Sequence, residues 1–241
     1  MTSFIRISLK ALSLAASLSF GLVAQAADQV TEAMQVANDP YRMALFKSNG
    51  KSQEEALQAL VQAQSAWSQL STRFAVKPPA PYDRDTAFAT SLAEVSKIYA
   101  QALTEVNAGQ LADAHNTLEQ VRDIMADMRR RNHVVVFSDH MNAYHSQMEV
   151  ILIHGNATLA EPKGMLQLTA QTGALSYLAR QLELQASAAL KQNTEFTSLL
   201  GAVKQSVSGL EAALLNQDMA AVKEAIGKLK GPYSKLFAKF G

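Results

Sequence analysis

Apolar residues recur at intervals of three and four along most of this chain, which is typical of amphipathic α-helices. In the segment 84–107 the recurring positions are Phe88, Leu92, Val95, Tyr99, Ala102 and Val106. In the segment 110–131 they are Leu111, Ala114, Leu118, Val121, Met125 and Met128. Each stripe matches the buried face of a helix in a bundle, so the pattern predicts an all-α, up-and-down helical bundle.

Capping and turn residues predict where the helices on either side begin and end. Ser52 and Glu55 match a capping box, which predicts a helix from there to about residue 74. The prolines of the segment 77–81 end that helix. Before it, we expect only a short helix over 28–37, followed by a loop that begins with Asn38-Asp39-Pro40.

The second half of the chain contains four further helical segments. A helix is predicted over 134–154, with Ser138 as an alternative N-cap because the run of three valines before it has low helix propensity. The later segments cover 164–191, 195–215 and 218–239. The last of them is predicted to kink at Gly231-Pro232.

A weak internal repeat relates positions that lie 108 residues apart. The matched positions include Phe88 with Phe196, Leu92 with Leu200, and Val95 with Val203. We therefore predict a duplicated three-helix unit, with the helix over 134–154 bridging the two copies. The predicted domains are a signal peptide over 1–26, an N-terminal extension over 27–51, a helical bundle with the candidate site over 52–158, and a second helical repeat over 159–241.

The N-terminus has the composition of a secretory signal peptide. Arg6 and Lys10 precede an apolar run over 11–23, and Ala24-Gln25-Ala26 matches a signal peptidase site. We therefore expect export to the periplasm and cleavage after Ala26. The apolar run is shorter than the roughly 20 residues that a membrane span needs, and no later segment is apolar enough, so no span is predicted.

The composition restricts the possible chemistry. The chain has no cysteine, which excludes disulfides, thiolate metal sites and covalently attached c-type haem. Without the predicted signal peptide it has 20 basic and 21 acidic residues, and this balance argues against nucleic acid as a partner. The Gly-x-Ser-x-Gly, His-Glu-x-x-His, phosphate-loop and Rossmann motifs are missing from the sequence, so we do not expect an enzyme.

Two His-x-x-x-Glu pairs are the main candidates for chemistry. His115 and Glu119 lie four residues apart on one predicted helix, and His145 and Glu149 do so on another, so each pair shares a helix face. Imidazole and carboxylate together suit iron, zinc, copper(II) or manganese. The pattern predicts a transition-metal ion held by His115, Glu119, His145 and Glu149.

The two pairs converge only if their helices form an antiparallel hairpin that turns near Asn132. In that register His115 lies beside Glu149, and Glu119 lies beside His145. If the second helix starts later, the register slips by more than one helical turn and the pairs separate.

A further histidine and two methionines in the same hairpin offer a second interpretation. His140, Met141 and Met148 could hold a non-covalent b-type haem in the bundle core. Methionine at these spacings is also ordinary core packing. The functions that remain are transition-metal binding in iron, copper or zinc handling, a b-type haem or electron-transfer bundle, and a cofactor-free interaction or scaffold protein of the envelope. We predict the first.

Overall fold

A computed structural model of the protein describes residues 28–241. The predicted signal peptide over 1–26 lies outside the described residues. Within the described part, no helix combines the length and the hydropathy that crossing a membrane requires.

Helices account for most of residues 28–241, and this range contains no β-strand, so the predicted all-α bundle is confirmed. The α-helices of this range are α1 (Gln29–Ser48), α2 (Gln53–Phe74), α3 (Phe88–Asn107), α4 (Leu111–Arg131), α5 (Phe137–Leu159), α6 (Gly164–Gln185), α7 (Ala188–Gln192), α8 (Thr194–Leu215), α9 (Met219–Lys228) and α10 (Lys230–Phe240). A short 3₁₀ turn, Tyr82–Arg84, lies in the connection between α2 and α3.

Polar side chains cap the beginnings of several helices. Ser52 Oγ accepts the N–H of Glu55 at the start of α2, which confirms the predicted cap. Asp28 caps α1 and Asn193 caps α8 in the same manner. Each cap satisfies an N–H that has no partner in the first helical turn, which stabilises the helix by about 1 kcal/mol.

The first helix is longer than the sequence predicts. α1 continues through Pro40 to Ser48, so the predicted loop from Asn38 is wrong. Packing of α1 against α2 outweighs the helical hydrogen bond lost at the proline, which costs about 3 kcal/mol. The buried positions that continue on both sides of the proline are Met34, Ala37, Tyr41, Ala44 and Leu45.

The start of α5 also differs from the prediction. Ser138 is not the N-cap, because the helix begins at Phe137 and Asp139 accepts the N–H of Val136 at 3.0 Å. Arg129, near the end of α4, donates through Nε to both carboxylate oxygens of Asp139, at 3.1 Å each. One carboxylate therefore joins the C-terminus of α4 to the N-terminus of α5.

Two predicted helices in the C-terminal part are each divided. The segment 164–191 is split because Ser187 caps the separate helix α7 by accepting the N–H of Leu190. The segment 218–239 is split at Leu229, and Pro232 lies in the first turn of α10. A proline is favourable there because an N–H at that position has no partner within the helix.

The helices pack as two groups of four. In the first group α1 contacts α2, α2 contacts α3, α3 contacts α4, and α4 contacts α1. In the second group α5 contacts α6, α6 contacts α8, and α8 contacts both α9 and α10. α9 and α10 together correspond to the fourth helix, and each of them contacts α5. The helix predicted to bridge the halves is therefore the first member of the second group.

Two pairs of helix starts follow the predicted repeat interval. α1 begins at Gln29 and α5 at Phe137, which is 108 residues later. α4 begins at Leu111 and α9 at Met219, again 108 residues later. An origin by duplication stays a prediction.

Polar contacts join the two groups. Arg129 of α4 pairs with Asp139 of α5. Arg42 of α1 donates to the carbonyl oxygen of Gly241, which follows α10, at 2.6 Å. A cavity lies where α1, α4, α5 and α10 approach one another.

Candidate functional site

The cavity between the two helix groups has a volume of about 360 Å³. Its walls come from α4, α5, α10, the end of α1, the start of α2 and the segment that joins these two helices. The polar and charged residues that line it are Lys47, Asn49, Lys51, Ser52, Glu55, His115, Glu119, Arg122, His145, Lys230 and Ser234. The apolar and aromatic residues are Leu45, Phe46, Met148, Tyr233 and Phe237.

Three of the four predicted metal ligands line this cavity, namely His115, Glu119 and His145. The fourth, Glu149, is not a lining residue and is paired with His145, with Nε2 and Oε1 3.5 Å apart. The structure therefore contains both predicted His–Glu pairs and brings the two histidines to one space.

The register between α4 and α5 differs from the predicted one. The two helices are joined by residues 132–136, so the turn lies beyond Asn132. Arg122 contacts His145, with Nη1 2.9 Å from Nδ1, where the predicted register places Glu119. The predicted register is therefore wrong by about three residues, which is almost one helical turn.

The hydrogen bonds of His115 define its tautomer. Nδ1 lies 3.0 Å from the carbonyl oxygen of Leu45 and 3.1 Å from Oγ of Ser48. Because a carbonyl oxygen only accepts, Nδ1 carries the proton of the neutral ring and Nε2 keeps its lone pair. Burial lowers the pKa of His115 below its ordinary value, which keeps the ring neutral near pH 7.

His145 has the opposite tautomer. Its Nδ1 accepts from Nη1 of Arg122 at 2.9 Å, and a guanidinium only donates. Nε2 therefore carries the proton and lies 3.5 Å from Oε1 of Glu149. This contact lowers the pKa of Glu149. Neither ring nitrogen of His145 has a lone pair left for a metal ion.

Glu119 lies between an imidazole and a guanidinium. Its Oε1 is 3.8 Å from Nε2 of His115 and 3.8 Å from Nη1 of Arg122. Both separations exceed hydrogen-bond distance. Within residues 28–241, Oε1 of Glu119 and Nε2 of His115 are therefore two neighbouring acceptors without a hydrogen-bond donor.

Arg122 is a site residue that the sequence analysis missed. Its side chain is only 11% exposed, yet it lines the cavity. Nε donates to Asp123 at 3.4 Å and Nη1 donates to His145, which leaves Nη2 for a ligand. The sequence did contain a signal, because Arg122 follows Glu119 by three residues and therefore lies on the same helix face.

Positive charge is in excess around the cavity. Glu55 and Glu119 are the two carboxylates among its lining residues. The four cationic side chains are Lys47, Lys51, Arg122 and Lys230. Lys47 pairs with Glu55 at 2.6 Å, whereas Lys51 and Lys230 have no ion-pair partner in the described part of the chain. Among the lining side chains this balance favours an anionic ligand, with Arg122 also paired to Asp123 outside the lining.

Aromatic rings form one wall of the cavity. Tyr233 of α10 stacks on His145, with ring centroids 5.3 Å apart and planes inclined by 29°. It also stacks on Phe237, at 5.9 Å. The hydroxyl of Tyr233 donates to the carbonyl oxygen of Met141 at 3.2 Å, which fixes the ring. The wall thus places apolar surface next to the charged groups.

The described residues contain no group of three or more His, Asp or Glu side chains that could hold a metal ion. Arg122 disfavours a metal ion at this place. Its guanidinium donates a hydrogen bond to the lone pair on Nδ1 of His145 and adds a permanent positive charge to the site. A transition-metal site therefore stays a prediction, and its two neighbouring ligands are His115 and Glu119.

The residues predicted to hold haem lie in different surroundings. Met141 and Met148 are fully buried in the core, as expected for packing methionines, and only Met148 lines the cavity. His140 is half-buried and is not a lining residue. Haem binding by these three side chains stays a prediction.

Ser48, His115 and Glu119 resemble a hydrolytic triad in type but not in geometry. Oγ of Ser48 donates to the carbonyl oxygen of Leu45 at 2.9 Å, and Ser48 is 2% exposed. Because Nδ1 of His115 carries a proton, it does not accept one from the hydroxyl. Ser48 therefore positions His115 and is not an activated nucleophile.

The chain was also compared with known proteins. No family model, curated protein or solved structure matches it. Because a fold alone does not specify a function, the function is inferred from the chemistry of the cavity.

Proposed function

We propose that this protein binds a small organic anion in the cavity between its two helix groups. The observation that carries the proposal is the guanidinium of Arg122, which lines the cavity while its side chain is only 11% exposed. A small ligand with an anionic group and an apolar body fits these surroundings. We propose a binding protein without catalytic activity, located in the periplasm as its N-terminal sequence predicts.

The electrostatics support an anion rather than a cation. A charge in a partly buried site interacts more strongly than the same charge in water, because the local dielectric is lower. Arg122 and Lys230 approach the cavity from different helices, so a carboxylate between them accepts from two donors. Nη2 of Arg122, which Asp123 and His145 leave free, donates a charge-assisted hydrogen bond to such a carboxylate.

The size and the walls of the cavity support an organic ligand. Its volume of about 360 Å³ lies within the range of small-molecule sites, which is roughly 300–1,000 Å³. Met148, Tyr233 and Phe237 give it an apolar side that a bare inorganic anion leaves uncovered. An apolar group of the ligand gains free energy by covering this side.

Calorimetric titration with 3-phenylpropanoate tests the proposal, with 2-phenylethylamine as the cationic probe of similar size. We expect the carboxylate to bind and the amine to bind more weakly. The Arg122→Gln variant should weaken carboxylate binding by about tenfold or more, because a charge-assisted hydrogen bond contributes about 1.5–3 kcal/mol.

The matched control is Arg180→Gln, which changes an exposed arginine on α6 and should bind the probe like the wild type. Circular dichroism shows whether each variant keeps its helical content. Tighter binding of the amine, or unchanged carboxylate affinity in Arg122→Gln, contradicts the proposal.

A transition-metal ion is the second candidate ligand, and the tautomer of His115 favours it. Nδ1 donates to a backbone carbonyl and Nε2 keeps its lone pair beside a carboxylate. Metal-binding imidazoles in proteins commonly have this arrangement. The ion would be held by Nε2 of His115 and Oε1 of Glu119, with water completing its shell.

Titration with Zn²⁺ tests this candidate. We expect binding to be lost in His115→Gln and to be retained in His145→Gln, because the lone pair of His145 is already used by Arg122. Loss of binding in the His145 variant alone contradicts the assignment, and so does equal binding by all three proteins.

A further inference from the structure

Two acceptors in the cavity face each other without a donor. Nε2 of His115 carries a lone pair, and Oε1 of Glu119 lies 3.8 Å away from it. A nitrogen or oxygen donor about 2.9 Å from both atoms satisfies the two at once. A ligand with a donor at this place and an anionic group near Arg122 therefore complements the cavity.

We propose that the ligand is a zwitterion of the α-amino acid type with an apolar side chain. This inference rests on the proposed function, since it assigns the anionic group of the same ligand to Arg122 and Lys230. The ammonium group donates to Glu119 and His115. The side chain lies against Met148, Tyr233 and Phe237.

The spacing of the charged groups agrees with such a ligand. Glu119 is close to both partners, because its Oε1 is 3.8 Å from the imidazole and 3.8 Å from the guanidinium. An α-amino acid likewise has its ammonium and carboxylate groups on one carbon atom. Each ligand charge then lies next to a protein group of the opposite sign.

Simpler ligands satisfy only part of the site. A plain carboxylate leaves the two acceptors without a donor and brings a second negative charge near Glu119. A divalent metal ion meets only two neighbouring ligands here, because no group of three His, Asp or Glu side chains is present in the described residues. An ammonium group needs no third ligand, because its remaining N–H can point to water.

Matched probes separate these possibilities by calorimetry at about pH 7.5, where α-amino acids are zwitterions. The pairs are L-phenylalanine with 3-phenylpropanoate, and L-leucine with 4-methylpentanoate. Each acid lacks only the ammonium group. We expect each amino acid to bind about tenfold more tightly than its matched acid, because the ammonium gains charge-assisted hydrogen bonds.

The Glu119→Gln variant should lose this preference while it still binds 3-phenylpropanoate. The matched control is Glu183→Gln on α6, whose carboxylate pairs with exposed Lys204 outside the cavity and should leave the preference unchanged.

Equal or tighter binding of the acids overturns the inference and leaves the proposed function in place. Binding of 2-phenylethylamine in preference to every carboxylate overturns the proposed function itself. If neither amino acid binds at about 10 mM, a concentration that fills even a site of millimolar Kd, the inference is also overturned.

Discussion

The two histidines of the cavity differ in what they bind, although their sequence contexts are alike. The four-residue spacing correctly predicted a glutamate beside each ring, at 3.8 Å for His115 and 3.5 Å for His145. The tautomers, however, are set by the carbonyl of Leu45 and by Arg122, which come from other helices. Because no local pattern encodes those partners, the sequence could not distinguish the two rings.

His115 should make folding stability depend on pH. Burial lowers its pKa below 6.5, so the unfolded chain binds this proton more readily than the folded protein. Its effect on stability is therefore constant above about pH 6.5, and stability falls as the pH drops below that value. We predict that His115→Gln loses less stability than the wild type between about pH 7.5 and about pH 5.5, measured by urea unfolding.

A histidine on the surface provides the control for this measurement. His154 is exposed on α5, so His154→Gln should keep the pH dependence of the wild type. If His115→Gln and the wild type lose stability equally over this interval, the buried neutral state assigned to His115 is contradicted.

Individual helices were largely predictable, because each depends on its own periodicity and caps. The predicted segment 110–131 agrees with α4 to within one residue. The failures occurred where packing outweighed a local signal, as at Pro40, or where a side chain of another helix orients the capping residue, as Arg129 of α4 does for Asp139. Those contacts form only in the folded protein.

Removal of the Asp139 carboxylate, at the boundary between α4 and α5, should lower the free energy of unfolding more than removal of an exposed carboxylate. Arg129 is 4% exposed and pairs with Asp139, which also accepts the N–H of Val136. Asp139→Ala leaves a buried guanidinium without a countercharge, so we expect the free energy of unfolding to fall by about 3 kcal/mol. Urea unfolding measures the change.

The control for this variant is Glu183→Ala, whose ion pair with Lys204 is exposed. It should lower stability by about 0.5 kcal/mol or less. A loss of similar size in both variants means that Asp139 does not join the two helices as described.

Two glycines of α6 should respond in opposite directions to alanine. A Cβ atom at Gly164 would lie 1.9 Å from the carbonyl oxygen of Thr158, whereas one at Gly173 meets no atom within 4 Å. Gly164→Ala should lower the free energy of unfolding by about 1–3 kcal/mol, since the turn between α5 and α6 must move. Gly173→Ala should raise it by about 0.5–1 kcal/mol through helix propensity.

Thermal or urea unfolding of both variants checks this pair. The two substitutions add the same methyl group to the same helix, so each controls for the other. A stabilised Gly164→Ala variant, or a strongly destabilised Gly173→Ala variant, contradicts the packing of α6 in the structure.

At the scale of the whole molecule, the fold class was predictable, but which helices contact one another was not. Periodicity shows which face of a helix is buried, not which helix covers it. The register of α4 on α5 depends on residues 132–136, where His133 has a φ of 56°, and on the pair Arg129–Asp139. α1, predicted as a short helix with a loop, instead contributes Leu45 to the cavity.

Occupation of the cavity between the two helix groups by an organic anion is tested most directly by locating a bound probe. With ¹³C-labelled methionine methyl groups, nuclear Overhauser effects to the ring protons of 3-phenylpropanoate report which methionine lies beside it. We predict contacts to Met148, which lines the cavity, and none to Met219, which is 48% exposed on α9. Contacts to Met219, or none to Met148 when the probe is bound, would contradict the assignment of this cavity as the binding site.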